Sequence, residues 1–90
     1  MSLTVRLRMI DAQALYALLT DEPQGQVVLA RKLGWLRGPD SNGHMRANRR
    51  RVGAAAKWLL GDGKCWMRRD PRGRCRTHYV RGDGHAVRTL

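Results

Sequence analysis

Residues 28–34 read VLARKLG, and this stretch decides the fold that the chain is expected to adopt. Gly34 stands where a residue with left-handed backbone ends a helix. The apolar positions before it, which recur with the spacing of one helix face, are Val27, Leu29, Ala30 and Leu33. The pattern predicts a short helix from Gln26 to Leu33.

Two further elements are predicted before this helix. Leu3–Met9 alternates apolar and polar side chains, which is typical of a half-buried strand. A helix over the same residues is the alternative, but β-branched residues and the break at Asp11 favour the strand. Asp11 then serves as the N-cap of a first helix over Ala12–Thr20.

A third helix is predicted after a loop. Trp35 and Leu36 return to the core, and Arg37–His44 forms a loop because it is rich in Gly, Pro, Asp, Ser and Asn. The third helix spans Met45 to Leu60. Its apolar sector consists of Met45, Val52, Ala56 and Leu59, and its opposite side carries Arg46, Arg50, Ala54 and Lys57.

A basic hairpin is predicted at the end. Lys64–Arg69 and Arg74–Val80 alternate like strands, and Asp70–Gly73 between them has the composition of a tight turn. The register that this turn gives places Cys65 opposite Tyr79. One face of the hairpin is apolar, and the other carries Lys64, Trp66, Arg68, Arg74, Arg76 and His78.

The charge of the chain is concentrated in residues 44–76, about one third of its length. The 90 residues have a net charge of +11, and residues 44–76 hold eleven basic and two acidic side chains, a net +9. Charge that served only solubility would be spread evenly. Clustering of this kind is typical of a surface that binds nucleic acid.

Several classes of protein are not supported by the sequence. Two cysteines are too few for a disulfide scaffold, and the spacing of Cys65, Cys75, His78 and His85 lacks the close cysteine pair of most zinc sites. No grouping of a nucleophile with a base is recognisable. No apolar stretch approaches the roughly 20 residues that span a bilayer. We expect a cytoplasmic protein, nucleoid-associated when bound, without cofactor, metal, membrane contact or small-molecule effector, and not an enzyme.

The order of helix, short helix, basic helix and basic hairpin resembles a winged helix-turn-helix. VLARKLG at residues 28–34 resembles the positioning helix of bacterial helix-turn-helix repressors, and DPRGRCR at residues 70–76 resembles the wing of MarR-type regulators. The resemblance implies an α+β fold of three helices with a C-terminal hairpin wing, to which the predicted N-terminal strand is added. Residues 1–81 would form this single domain and residues 82–90 a loosely ordered tail.

The resemblance also implies a function. In this family the third helix enters the major groove of DNA and the wing lies on the backbone or in the minor groove. We therefore expect sequence-specific binding of double-stranded DNA by a small transcriptional regulator, of a phage or another mobile element. The candidate DNA-binding residues are Arg46, Asn48, Arg49, Arg50, Arg51, Lys57, Arg68, Arg72, Arg74 and Arg76.

Two alternatives remain open, as does the oligomeric state. A basic domain of this kind also fits an RNA-binding or ribosome-associated protein, because phosphates attract it in either nucleic acid. A protein-interaction module that docks on an acidic partner is the other alternative. A homodimer would form if the strand Leu3–Met9 paired with its copy in a second subunit.

Overall fold

The computed structural model describes residues 2–69 and 77–82. This part of the chain is an α+β fold of three helices and two small antiparallel sheets. The helices are α1 (Leu3–Leu18), α2 (Gln26–Leu33) and α3 (Arg49–Gly61). The strands are β1 (Gln24–Gly25), β2 (Leu36–Pro39), β3 (Met45–Ala47), β4 (Cys65–Arg69) and β5 (Thr77–Arg81).

The core lies where the three helices meet the inner face of the sheet β1-β5-β4. Leu15 of α1, Leu29 of α2 and Val52 of α3 are completely buried there, and Cys65 and Tyr79 cover them from the sheet. Burial of each large aliphatic side chain contributes about 1.5–3 kcal/mol. Of the apolar sector predicted for the third helix, all but Met45 are buried.

The helix predicted from VLARKLG is confirmed with its bounds. Gly34 has φ 73° and ψ 19°, which is left-handed backbone. Its N–H donates to Arg31 O at 3.1 Å, and the N–H of Trp35 donates to Ala30 O at 2.8 Å. This pair of bonds is a Schellman motif, which ends α2 and turns the buried Trp35 back onto the core.

The prediction of a strand over Leu3–Met9 is wrong, because these residues form the first half of α1. Ser2 caps the helix, accepting from Val5 N at 3.2 Å. Leu3 and Leu7 are 72% and 53% exposed, so their alternation does not mark a buried face. A strand would need a partner for its backbone groups, whereas a helix satisfies them within the segment. Asp11 consequently lies inside α1 instead of capping it.

The homodimer expected through that strand loses its structural basis. Residues 3–9 are helical and present no strand edge to a second subunit. The first helix predicted over Ala12–Thr20 corresponds to the second half of α1, which ends at Leu18.

The loop predicted over Arg37–His44 is instead part of a β-hairpin, β2–β3, which we call the ribbon (residues 36–47). Asp40 Oδ1 accepts from the N–H groups of Asn42 and His44 at 2.8 and 3.0 Å and closes the turn. Gly43, at φ 83°, supplies the left-handed residue that this turn needs. All four residues of β2 are exposed, so the prediction that Leu36 returns to the core is also wrong.

The ribbon shortens the third helix at its start. Asn48 is the N-cap, and its Oδ1 accepts from Arg51 N at 3.2 Å. Helix α3 therefore begins at Arg49 and not at Met45, because an Asn cap with extended backbone before it stops the helix from reaching further back.

The C-terminal hairpin is present as β4–β5, but its register differs from the prediction. Cys65 pairs with Arg81 and Met67 with Tyr79, a shift of two residues. An even shift leaves each side chain on its predicted face, so Cys65 and Tyr79 still point into the core. Strand β1 adds to the free edge of β5, where Gln24 pairs with Tyr79.

Some predictions fall on residues that the structure does not describe. These are the turn Asp70–Gly73, the residues 74–76 of the second wing strand, and residues 83–90 of the predicted tail. Gly82, the first residue of that tail, is buried, and its N–H donates to Lys64 O at 2.8 Å. Among the helices of residues 2–69, none has both the length and the apolar character needed to cross a membrane.

Candidate nucleic-acid interface

A strongly basic groove of the described surface lies between α2, the ribbon and the start of α3. Its volume is about 420 Å³. The lining consists of Arg31, Arg37, Arg46, Arg49 and Arg50 with Val27 and Ala47. We call it the arginine groove. Five positive charges and no carboxylate among its lining residues make it a site for an anion.

Two of these arginines are held by the ribbon backbone. Arg31 Nη1 donates to Met45 O at 3.3 Å, and Arg46 Nε donates to Gly38 O at 3.3 Å. A guanidinium has several N–H donors, so one bond to a carbonyl leaves others for a ligand. Both groups are thereby oriented before any ligand arrives.

Arg37 and Arg46 lie directly opposite each other on the two strands of the ribbon. Directly opposed residues share one face of a sheet, and like charges in that position are destabilising. Folding alone gains nothing from this pair. An anion bound between the two guanidinium groups would remove the repulsion.

The start of α3 adds to the positive potential. The first turn of a helix carries unpaired N–H groups and favours acidic side chains. In α3 that turn has no acidic residue and instead begins with Arg49 and Arg50. The helix end and its side chains therefore both favour a bound anion.

The structure brings together only part of the predicted set. Arg46, Arg49 and Arg50 line the arginine groove, and Lys57 is exposed two turns beyond Arg50 on the same side of α3. Arg68 lies apart from them on the sheet, where it pairs with His78. Arg72, Arg74 and Arg76 are outside the described residues.

Two predicted residues have structural contacts instead. Asn48 uses its side-chain oxygen to cap α3. Arg51 donates from Nε and Nη2 to the two carboxylate oxygens of Asp11, both at 2.8 Å, and lies 4.4 Å from the centre of the Trp35 ring. Hydrogen bonding to Asp11 raises the pKa of Arg51 further above its usual range. Arg51 is therefore not part of the arginine groove.

The sequence predictions missed Arg31 and Arg37 as site residues. Arg31 lies in the VLARKLG helix at a position that its apolar face leaves exposed, and this position was a usable signal. Arg37 fell in a predicted loop, so nothing indicated its pairing with Arg46. That pairing depends on contacts across the ribbon.

The titratable groups of the sheet do not form a second site. Burial raises the pKa of the Cys65 thiol to about 11 and also raises the pKa of Tyr79. Gln26 donates to Tyr79 Oη at 3.0 Å. Cys65 and His78 lie on opposite faces of the sheet, and within residues 2–69 and 77–82 no three His, Cys, Asp or Glu side chains are grouped as a metal site would require.

Comparisons with known proteins add no assignment. No protein-family model, no curated protein and no solved structure matches this chain.

Proposed function

We propose that this protein is a winged helix-turn-helix that binds double-stranded DNA and, as its sequence resemblance implies, acts as a transcriptional regulator. The observation that carries the proposal is the arginine groove beside the N-terminus of α3. A polyanion is the ligand that such a groove suits, because phosphates neutralise charges that otherwise repel one another.

The order of elements supports the fold assignment. Helices α1, α2 and α3 precede a hairpin, β4–β5, that packs on the same core. This is the order of elements by which the sequence resembles a winged helix-turn-helix. The addition here is the ribbon, which replaces a short turn between α2 and α3.

The exposed side of α3 favours duplex DNA over RNA. Arg50, Ala54 and Lys57 follow one another along this side at helical spacing. The small side chain of Ala54 lets the helix backbone approach base edges. The major groove of B-form DNA is about 12 Å wide and admits a helix, whereas the major groove of A-form RNA is deep and narrow.

The roles within this surface divide by position. Arg50 projects from the first turn of α3, where it can reach a guanine edge or a phosphate. Arg31 and Arg49, the other groove arginines that come from helices, meet phosphates and fix the position of the protein. Binding of this kind combines affinity from the backbone with sequence reading from few residues.

The test is a selection of bound sequences followed by fluorescence-anisotropy titrations at physiological salt. First, sequences bound by the protein are selected from a random duplex pool. Then the wild type, Arg50→Ala and Arg6→Ala are titrated with the selected duplex, with random duplex and with a structured RNA. Arg6 is the matched control, since it is exposed on α1, which contributes no residue to the arginine groove.

We expect Arg50→Ala to weaken binding of the selected duplex by about 5- to 150-fold, which corresponds to the loss of one bidentate contact. Binding of random duplex should weaken less, and Arg6→Ala should leave both within about twofold of the wild type. Tighter binding of the structured RNA would favour the RNA-binding alternative. Binding of neither nucleic acid would contradict the proposal and favour an acidic protein partner.

A further inference from the structure

The proposed function assigns α3 to the major groove but assigns no position on the duplex to the ribbon. Among residues 2–69 and 77–82, its two strands pair only with each other, and β2 is exposed along its whole length. Its contribution to the core is limited to Ala47 at its base, which is partly buried. A hairpin that contributes so little to packing is free to serve in binding.

The ribbon forms one wall of the arginine groove. Arg37 and Arg46 project from it, Arg49 and Arg50 project from the start of α3 opposite, and Arg31 comes from α2. A groove of about 420 Å³ is within the range of roughly 300–1,000 Å³ that holds small ligands, so a sugar–phosphate unit fits it. The arginines on the two walls would contact a single sugar–phosphate strand of DNA from both sides.

We infer that one sugar–phosphate strand of the duplex runs through the arginine groove, with α3 in the major groove on one side and the ribbon over the minor groove on the other. The inference rests on the proposed function. Each strand of a duplex separates a major from a minor groove. If α3 lies in the major groove, the wall across the strand must face the minor groove.

The side chains of the ribbon suit that location. Arginine is the residue most favoured in narrow minor grooves, where the negative potential is enhanced. The turn exposes Ser41, Asn42 and His44, whose donors match the A N3 and T O2 acceptors of the minor groove.

The turn is also rigid. Asp40 N donates to His44 O at 2.8 Å, and Gly43 N donates to Asp40 O at 3.0 Å, in addition to the two bonds accepted by the Asp40 carboxylate. Little conformational entropy would therefore be lost when the turn meets DNA.

Arg37→Ala tests whether the ribbon contacts DNA. On random duplex we expect weaker binding than for the wild type and a salt slope of log K against log [salt] that is shallower by about 0.9, the value for one lost phosphate contact. The midpoint of thermal unfolding of the free protein should stay equal or rise, because the repulsion between Arg37 and Arg46 is removed. Arg37→Lys should keep the wild-type slope.

A second measurement tests on which side of the strand the ribbon lies. In a Ser41→Cys, Cys75→Ala variant, the new thiol is labelled with an iron chelate that cleaves nearby DNA. The Cys65 thiol is buried and does not compete for the reagent. Cuts on the two strands that are offset toward the 3′ side indicate the minor groove. Cuts offset toward the 5′ side indicate the major groove and would overturn the inference.

The two proposals fail in different ways. If wild-type protein does not bind duplex DNA, the proposed function and this inference both fall. If the wild type binds, Arg50→Ala weakens binding and Arg37→Ala behaves like Arg6→Ala, the proposed function stands and the role of the ribbon is refuted.

Discussion

Asp11 and Arg51 join α1 to α3 through two parallel hydrogen bonds, each 2.8 Å long. The same guanidinium lies 4.4 Å from the centre of the Trp35 ring, so one side chain links both helices to a residue just beyond the end of α2. The side chain of Asp11 is 19% exposed and that of Arg51 46% exposed. Arg51 therefore has a structural role, whereas its neighbours Arg49 and Arg50 line the arginine groove.

Substitution of this pair should reduce stability without affecting DNA binding. Asp11→Ala should lower the free energy of unfolding by about 1 kcal/mol, near the upper end for a partly exposed pair because the geometry is bidentate. Arg51→Ala should cost about 0.5 kcal/mol more, since it also removes the contact with Trp35. Urea unfolding of both single variants and the double variant measures the coupling. Additive effects, or a loss of duplex affinity in Asp11→Ala, would contradict this assignment.

Two glycines should respond to alanine in opposite directions. A Cβ on Gly82 would lie 2.5 Å from Gly63 O and 2.6 Å from Trp66 Nε1, so the backbone or the indole must move. We expect Gly82→Ala to destabilise the fold by about 1–3 kcal/mol.

Gly53→Ala is the matched control. Its Cβ would lie 3.6 Å from Gln26 Nε2, an ordinary contact, and alanine in a helix interior is favoured over glycine by about 0.5–1 kcal/mol. The midpoint of thermal unfolding should therefore fall for Gly82→Ala and rise for Gly53→Ala. Equal shifts would show that the sheet and helix are not packed as described.

Stability should decrease in alkaline solution because of Cys65. Burial raises the pKa of this thiol from 9.0 to about 11, so between these values the unfolded chain loses a proton that the folded chain keeps. Stability from this group is complete below about pH 9 and is lost as the pH rises through 11, a change of roughly 3 kcal/mol. Tyr79, whose pKa burial also raises, adds to the same trend.

The measurement is urea unfolding at several pH values from 8 to about 10.5 in a Cys75→Ala background, with and without Cys65→Ala. The variant without Cys65 should show a flatter decline between pH 9 and 10 than its parent. Identical declines in the two proteins would show that Cys65 is not buried in the fold.

The sequence predicted best where a signal is local. Gly34 ends α2 at the expected residue because its left-handed backbone is a property of one position. The alternation of apolar and polar residues over Leu3–Met9 led to a wrong prediction because a pattern of only seven residues is compatible with a helix as well as with a strand. The cap at Ser2 was a further signal for the helix alternative, but one serine is a weak signal.

The candidate site was predicted in part for the same reason. Arg49 and Arg50 were predicted because they belong to a run of basic residues in the predicted third helix, and this run is visible in the sequence. The ion pair of Arg51 with Asp11 joins residues forty positions apart, and the pairing of Arg37 with Arg46 depends on a hairpin that the loop-like composition concealed. Contacts of this kind are set by tertiary packing and have no local signature.

The most direct test of the central claim is the salt dependence of duplex binding by the wild-type protein. If the five arginines of the arginine groove each neutralise one phosphate, log K should fall against log [salt] with a slope of about −4.5. A slope between zero and about −1 would mean that the groove does not hold the DNA backbone, and the account would be contradicted.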